Sequence, residues 1–483
     1  MPDDRHAHVI AELDADMSTD AASAFAALVI DYFRNTRDGR GPVSTSLSSS
    51  RIAERFDEPM PMEGAPLAAV IARLEHDVFA DSNRLFHPRA VGHQVSPPLP
   101  AAIWTDSVIA ALNQSVAVAE MSPTATPMEH RVVRWMCDLV GFDGGAGGTL
   151  TSGGTEATFT ALLAARSAAI PDVWSNGVGE DPPVVVCGEH AHYAVSRAVS
   201  ELGIGSRNIS VVPSRDWKMD TDALRKALDG LASERRRVMA VVATAGSTAT
   251  GSFDDLDAIG QLCDSRGLWM HVDGAHGASA LLSARDRARL RGIERARSIA
   301  WDPHKMLLLP LSAGLLLVRH DRDLQNAFTQ RAPYLFHDAE GARAWDQGTR
   351  SFQCSRRADV IKLWVALHRY GARGLGALYD GLCEVTRAMH EMLEAHPSFE
   401  TLHAPESNIL CFRFVGDGAL GEGELDVANR DLRERYNGSG AGWITATRLG
   451  GKSVLRVTIM NPRTTVRHVR EIVDGLAREA QRG

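Results

Sequence analysis

Between about residue 100 and 320 the chain alternates short β-branched runs with longer stretches of helical periodicity, and no other feature limits its fold so tightly. VVVC (184–187), ISVVP (209–213), VMAVVATAG (238–246), LWMHVDGAH (268–276), SIAWDPHK (298–305) and AGLLLVR (313–319) read as strands. Between them, AVSRAVSEL (194–202), TDALRKALDGLAS (221–233) and DLDAIGQLCDSRG (255–267) read as helices. Strands that alternate with helices require crossover connections, so the expectation is an α/β fold with a mostly parallel sheet and helices on both faces. Ligands of such sheets bind at the carboxyl ends of the strands.

A length of 483 residues predicts two or three domains. Residues 1–88 are expected to form an N-terminal helical segment without a core of its own. Residues 89–360 are expected to form the large domain, and 361–483 a smaller α+β domain that contains the strands NILCFRFV and SVLRVTIM. The net charge of 52 minus 60, or −8, disfavours nonspecific nucleic-acid or anionic-membrane partners. The run Arg235–Arg237 fits a solvated helix end. MLLLPLSAGLLLV, the most apolar stretch, is broken by Pro310 and Gly314 and is shorter than the roughly 18 residues of a membrane span. Six widely spaced cysteines without a CxxC pair, and an acidic N-terminus, predict a cytoplasmic protein with reduced thiols.

Four places carry possible chemistry. WDPHKMLLLP (301–310) puts Lys305, one of only five lysines, beside a histidine and a run of leucines. An ammonium in that setting is costly unless the amine itself is needed. TSGGTEATFTALLAAR (151–166) is a small-residue turn that opens into a helix. Gly153 and Gly154 would let the backbone approach a phosphate, and Thr155 would add a hydroxyl to the N–H groups of the first turn. An ordinary helix capped by Thr155 explains the same residues. No GxxxxGK follows, and the preceding GFDGGAGGT lacks the strand, helix and downstream acid of a dinucleotide fingerprint.

HVDGAHGAS places Asp273 at the end of a strand, with His271 on the same face and His276 just beyond. A metal site would need a further ligand pair that the spacing does not supply, so no metal is expected. GEHAHYAVSRAV brings His190 and His192 to the same strand mouth, where a hydrogen-bonded surface histidine is the plain alternative. An amine in an apolar setting, a phosphate cradle, a strand-end carboxylate and an imidazole are together the parts needed to hold pyridoxal 5'-phosphate.

The motifs HPRAVGHQVSPPLPAA, ALNQSVAVAEMSP, TSGGTEATFTALLAAR, HAHYAVSRA, ATAGSTATGSFDDL, WMHVDGAHG, WDPHKMLLLPLSAGLLLV, IKLWVALHRYG and LRVTIMNPRTT occur in the order found in the group II pyridoxal-phosphate decarboxylases. The chain resembles that family from about residue 86 to its C-terminal domain. The resemblance implies a PLP-dependent transferase fold of type I, with a mostly parallel seven-stranded sheet and a homodimer wrapped by the N-terminal segments. It implies Lys305 as the amine that condenses with the cofactor aldehyde, Asp273 as partner of the pyridine nitrogen, and His192 stacked on the ring. Thr248 would lie near the ring, and Gly154, Thr155, Asp302 and His304 around the phosphate. Tyr334, in APYLFHD, matches the proton-donating tyrosine of the family's mobile loop. Arg456 and His93 match substrate-binding positions.

Met306 replaces the Trp usual in aromatic-amino-acid members, and FQCSRRADVIKLW is closer to the glutamate and cysteine-sulfinate branch. The resemblance therefore implies decarboxylation of an acidic or short polar amino acid. The alternatives are an aromatic amino acid, or oxidative deamination to an aldehyde, against which Tyr334 argues. A degenerate, non-catalytic homologue is disfavoured because Lys305, Asp273, His192 and Tyr334 are all present.

Overall fold

The computed structural model describes residues 2–329 and 345–482. These fall into two compact units: one is Gln94–His390 with Thr401–Cys411, and the other is Met1–His93, Glu391–Glu400 and Phe412–Gly483.

The first unit is built on a seven-stranded sheet. Its strands are β1 (Gly147–Thr151), β2 (Val184–Gly188), β3 (Ile209–Val212), β4 (Val238–Thr244), β5 (Trp269–Asp273), β6 (Ser298–Trp301) and β7 (Gly314–Val318), in spatial order β1-β7-β6-β5-β4-β2-β3. β7 runs antiparallel to both of its neighbours, and the remaining pairs are parallel. The six runs read as strands are all present, and the mostly parallel α/β sheet is the one expected.

β1 was not legible, because GGTLT opens with two poor strand formers. Its glycines answer to close packing. A Cβ on Gly148 would collide with the Leu316 carbonyl oxygen of β7, and one on Gly147 would collide with the Asp321 carboxylate. The turn-helix at Gly153 therefore does follow a strand.

The sheet is buried on both faces. Leu162, Val185, Val199, Met239, Val242 and Trp269 form one cluster with their neighbours, and Ala157, Ala161, Ala300, Leu316, Val318 and Leu324 form another. Each fully buried Val or Leu contributes roughly 1.5–3 kcal/mol, which is why β-branched runs without polar alternation mark these strands.

In the second unit, helices α1 (Pro2–Asp16) and α2 (Thr19–Arg37) form the N-terminal segment. The helical pattern of AASAFAALVIDYF lies inside α2, whereas α1 was not anticipated. Its apolar residues Val9, Ile10 and Leu13 are all exposed, so it is an amphipathic helix with its stripe uncovered within this chain. A four-stranded sheet is formed by β8 (Phe399–Thr401), β9 (Ile409–Phe414), β10 (Thr445–Leu449) and β11 (Lys452–Thr458), in the order β8-β9-β11-β10. The long helix expected around IKLWVALHRYG, which belongs to the first unit as far as His390, spans Val360–Glu394 and breaks at Gly371, whose φ of 69° no other residue adopts as cheaply. Among the described residues, no helix is long and apolar enough to cross a membrane.

His271 lies inside the sheet with its Nδ1 2.9 Å from Ser298 Oγ, which also accepts from Trp269 Nε1. Burial pushes its pKa from 6.5 down to about 4, against the opposing pull of Asp273. The unfolded chain therefore binds a proton at this position that the folded chain refuses. The stability tied to His271 is present above pH 6.5 and is lost as pH falls toward 4, by up to roughly 3 kcal/mol. The denaturation midpoint should fall over that window, and His271→Gln should flatten part of the slope; an identical slope in the variant would remove His271 as a cause.

Candidate active site

The pairing of β4, β5 and β6 sets the position of the site. Thr244 lies opposite Asp273, and Asp273 opposite Ala300, so the three strands end level. The turns that leave them, together with those after β1 and β2, border one cavity of about 360 Å³. Its walls include Gly154, Thr155, His192, Thr248, Asp273, Asp302, His304 and Lys305, so these predicted residues are brought together.

The helix after β1, Gly154–Ala169, starts two residues earlier than a Thr155 cap implied, with Gly153 as N-cap and no side-chain cap. Thr155 is thus within the first turn and does not cap it, which leaves its hydroxyl on the cavity wall. A Cβ at Gly154 would stand 2.8 Å from Ala275 Cβ and 3.1 Å from Asp302 Oδ2, so only glycine lets the helix start this close to the turns after β5 and β6. The N–H groups of that first turn have no intrahelical acceptors and, with the helix dipole, favour an anion.

The turn after β6 carries three ionisable side chains in four residues. Lys305 Nζ is 3.1 Å from Asp302 Oδ2, and His304 Nε2 is 3.5 Å from the same oxygen. The Ala313 N–H donates to His304 Nδ1 at 3.1 Å, which leaves the Nε2 proton pointing to Asp302. Burial lowers the His304 pKa, with the Asp302 charge opposing, so the ring is neutral near pH 7. Asp302 is 2% exposed, and its Oδ1 is buried without a hydrogen-bond partner. Such an orphan costs on the order of 1–3 kcal/mol unless a ligand supplies a donor.

Asp273, at the end of β5, accepts the Ala275 N–H at 3.2 Å through Oδ1 and is 8% exposed. His192, in the turn between β2 and the helix Ala194–Glu201, accepts the Ala194 N–H at Nδ1 (3.2 Å), and its ring lies 4.1 Å from that of Tyr193. Burial lowers its pKa, with Asp273 opposing and Lys305 assisting. A neutral imidazole is therefore presented to the cavity. Thr248 sits on a turn held by hydroxyls, with Ser247 Oγ 2.7 Å from Thr250 Oγ1 and Thr250 Oγ1 2.8 Å from Ser252 Oγ.

Of the other predicted residues, Gly153 and His276 also border the cavity. His190 contacts Ser214 Oγ at 3.1 Å and does not border the cavity. His271 and His276, weighed as metal ligands, are engaged by Ser298 and by Asn408 (2.7 Å). His93 and Arg456 belong to the other unit, where burial and then the Arg456 charge lower the His93 pKa. Tyr334 lies outside the described residues.

Ser152, Thr244, Gly246 and Leu311 border the cavity unannounced by the sequence. So does Glu156, which accepts from the Ser152 N–H at 2.9 Å and from Gln353 Nε2 at 2.7 Å. Its place in the first turn of the turn-helix was the available signal. Together the walls offer donors for an anionic group, an amine for a carbonyl, and a carboxylate for a cationic ring nitrogen.

Residues 69–415 match the profile of the pyridoxal-dependent decarboxylase conserved domain. An L-2,4-diaminobutyrate decarboxylase of Rhizobium meliloti is 34% identical over 426 residues, which cover 88% of this chain and 84% of that one. An L-aspartate decarboxylase of Metarhizium robertsii is 29% identical over 383 residues, 78% of this chain and 76% of that one. The solved glutamate decarboxylase domain of a diaminobutyrate-pyruvate transaminase and L-2,4-diaminobutyrate decarboxylase from Vibrio parahaemolyticus has a TM-score of 0.86 at 27% identity and 96% coverage of both chains. With that match over most of its length, the chain belongs to the pyridoxal-dependent decarboxylase family, and it is a carboxy-lyase that acts on an amino acid with pyridoxal phosphate as cofactor.

Proposed function

We propose that the chain converts an acidic or short polar L-amino acid to its amine and CO2, with Lys305, Asp273, His192 and Tyr334 as catalytic residues. The supporting observation is that an amine, three carboxylates, a neutral imidazole and a helix start border one cavity. The relatives named for diaminobutyrate and aspartate favour the substrate class.

Pyridoxal phosphate, when bound, supplies an aldehyde that condenses with amines and a protonated ring that takes up the electron pair left by CO2. The orphaned Asp302 Oδ1 and the glycine-lined helix start fit such a group. The first turn of Gly154–Ala169, with Thr155, would bind the phosphate, and the cationic and N–H groups of the Asp302–Lys305 turn would complete its surroundings. Asp302, 3.1 Å from Lys305 Nζ, would orient that amine toward the cavity. The Asp273 carboxylate would hold a proton on the ring nitrogen. The His192 ring, fixed through Nδ1, would lie over the cofactor and help hold the substrate carboxylate out of plane, a positioning effect. Tyr334 would return a proton to Cα. His93 and Arg456 are proposed to bind substrate, and Arg456 would favour an acidic one.

We also propose a cytoplasmic homodimer, with residues 1–88 as the wrapping segment, 89–360 as the cofactor domain and 361–483 as the small domain. α1 and α2 expose Val9, Ile10, Leu13, Phe25 and Ile30, an apolar surface that a second copy would cover. No disulfide joins any of the six cysteines, which fits a reducing compartment.

Holoprotein incubated with aspartate, glutamate, cysteine sulfinate, 2,4-diaminobutyrate and the aromatic amino acids should release CO2 fastest from one of the first four. An aromatic substrate would overturn the substrate assignment, and stoichiometric hydrogen peroxide would overturn the amine product. Asp273→Ala should lower kcat on the order of 100-fold, as expected for loss of one electrostatic partner of the developing charge. Gly154→Ala should weaken cofactor binding, measured by absorbance titration, by at least about tenfold, because its Cβ overlaps Ala275; parental affinity would place the phosphate elsewhere.

A further inference from the structure

Two of the five lysines are held beside the same stretch of chain. Lys305 precedes it, and Lys362, on the helix Val360–Glu394, is fully buried against it at 0% exposure. Lys362 Nζ donates to Ser312 O at 2.9 Å and to Pro310 O at 3.4 Å, and it pairs with Asp359 Oδ1 at 3.0 Å, with Asp106 Oδ1 at 3.7 Å. Two of the ammonium's three N–H donors have carbonyl acceptors, and the Asp359 carboxylate supplies the counter-charge. Burying a charge for packing alone is unfavourable, since an apolar side chain fills such a space at lower cost. The position calls for a donor to those two carbonyls.

The carbonyls flank Leu311 at the tip of a strap that runs from Lys305 to β7. Its base is closed by the His304 N–H to Ala313 O (3.2 Å) and by the Ala313 N–H to His304 Nδ1. The Lys305 N–H is held by Asp302 O (2.9 Å), the Leu308 N–H by Lys305 O (3.1 Å), and Leu308 O accepts from the Leu99 N–H (2.8 Å). Leu308 adopts φ 56°, a left-handed conformation that a leucine keeps only under constraint. Leu311 is 61% exposed and, among the described residues, is the one large apolar side chain bordering the cavity.

We propose that Lys362 is a positioning residue for the reaction: by gripping the carbonyls of Pro310 and Ser312 it holds Leu311 as the apolar wall of the substrate cavity and keeps the backbone of His304 and Lys305 in place. It touches neither substrate nor cofactor and acts through the strap. The inference rests on the reading of the cavity as the cofactor site.

The test is a double-mutant cycle between the clamp and the wall. Lys362→Met combined with Asp359→Asn removes the ammonium without leaving its carboxylate partner charged, and Leu311→Ala removes the wall. Each should raise KM for the substrate about tenfold, and their combination should do no more than the clamp variant alone, because coupled residues are not additive. The clamp variant should also weaken cofactor binding to the apoprotein severalfold in an absorbance titration, a readout independent of turnover. A lower melting temperature with unchanged KM and unchanged cofactor titration, or KM effects that multiply independently, would overturn the proposal. If the clamp variant does not fold, Leu311→Ala decides alone, and an unchanged KM overturns it. A parent protein that binds no pyridoxal phosphate would instead refute the site reading.

Discussion

Level pairing of three parallel strands is the constraint on which the site depends. Because Asp273 pairs with Thr244 on one side and with Ala300 on the other, the chain leaves β4, β5 and β6 at one edge, and every turn there faces the same space. Side-chain direction alternates along a strand, so a one-residue slip between β4 and β5 would turn Asp273 from the cavity into the packed face. The buried β-branched runs resist that slip, since it would also displace Val242 and Val272 from their partners in the core. Core packing thereby holds Asp273 where the chemistry needs it.

Buried charge in this unit is arranged in pairs that tie chain segments together. Arg356 grips Glu129 through both guanidinium nitrogens, at 2.6 and 3.1 Å, while Glu129 also accepts the Leu150 N–H of β1. Asp254, 7% exposed, accepts the N–H groups of Met219 and Thr244 at 2.7 Å each, and burial raises its pKa. Lys362 fastens the strap beyond Lys305. Breaking one partner of such a pair costs about 3–5 kcal/mol, far more than a surface ion pair. Asp302 stands in the cavity wall with one of its oxygens unsatisfied, and that residual demand points to a ligand.

Much of this was legible in the amino-acid order, for definite reasons. Doubly buried strands read as unbroken β-branched runs, so six strands could be placed, and a lysine beside leucines advertised its own cost. β1 was hidden because its glycines serve close approach to β7, a long-range demand that local propensity does not carry. Lys362 was hidden because a lysine within a helical pattern looks like a solvated face. Thr155 looked like a cap, but the helix began at Gly154. Leu311 borders the cavity through tertiary folding of its turn, and nothing in its own neighbourhood marks it, whereas Glu156 stands in the first turn of the helix that follows the glycine pair. His93 and Arg456 came from resemblance alone and belong to the other unit.

The central claim is that the ε-amine of Lys305 carries the cofactor. Reduction of the holoprotein with borohydride, followed by peptide mapping, tests it directly, and the small number of lysines makes the result unambiguous. The account predicts a pyridoxyl label on the peptide containing WDPHK, at residue 305 only. A label on Lys218, Lys226, Lys362 or Lys452, or none at all, would contradict it.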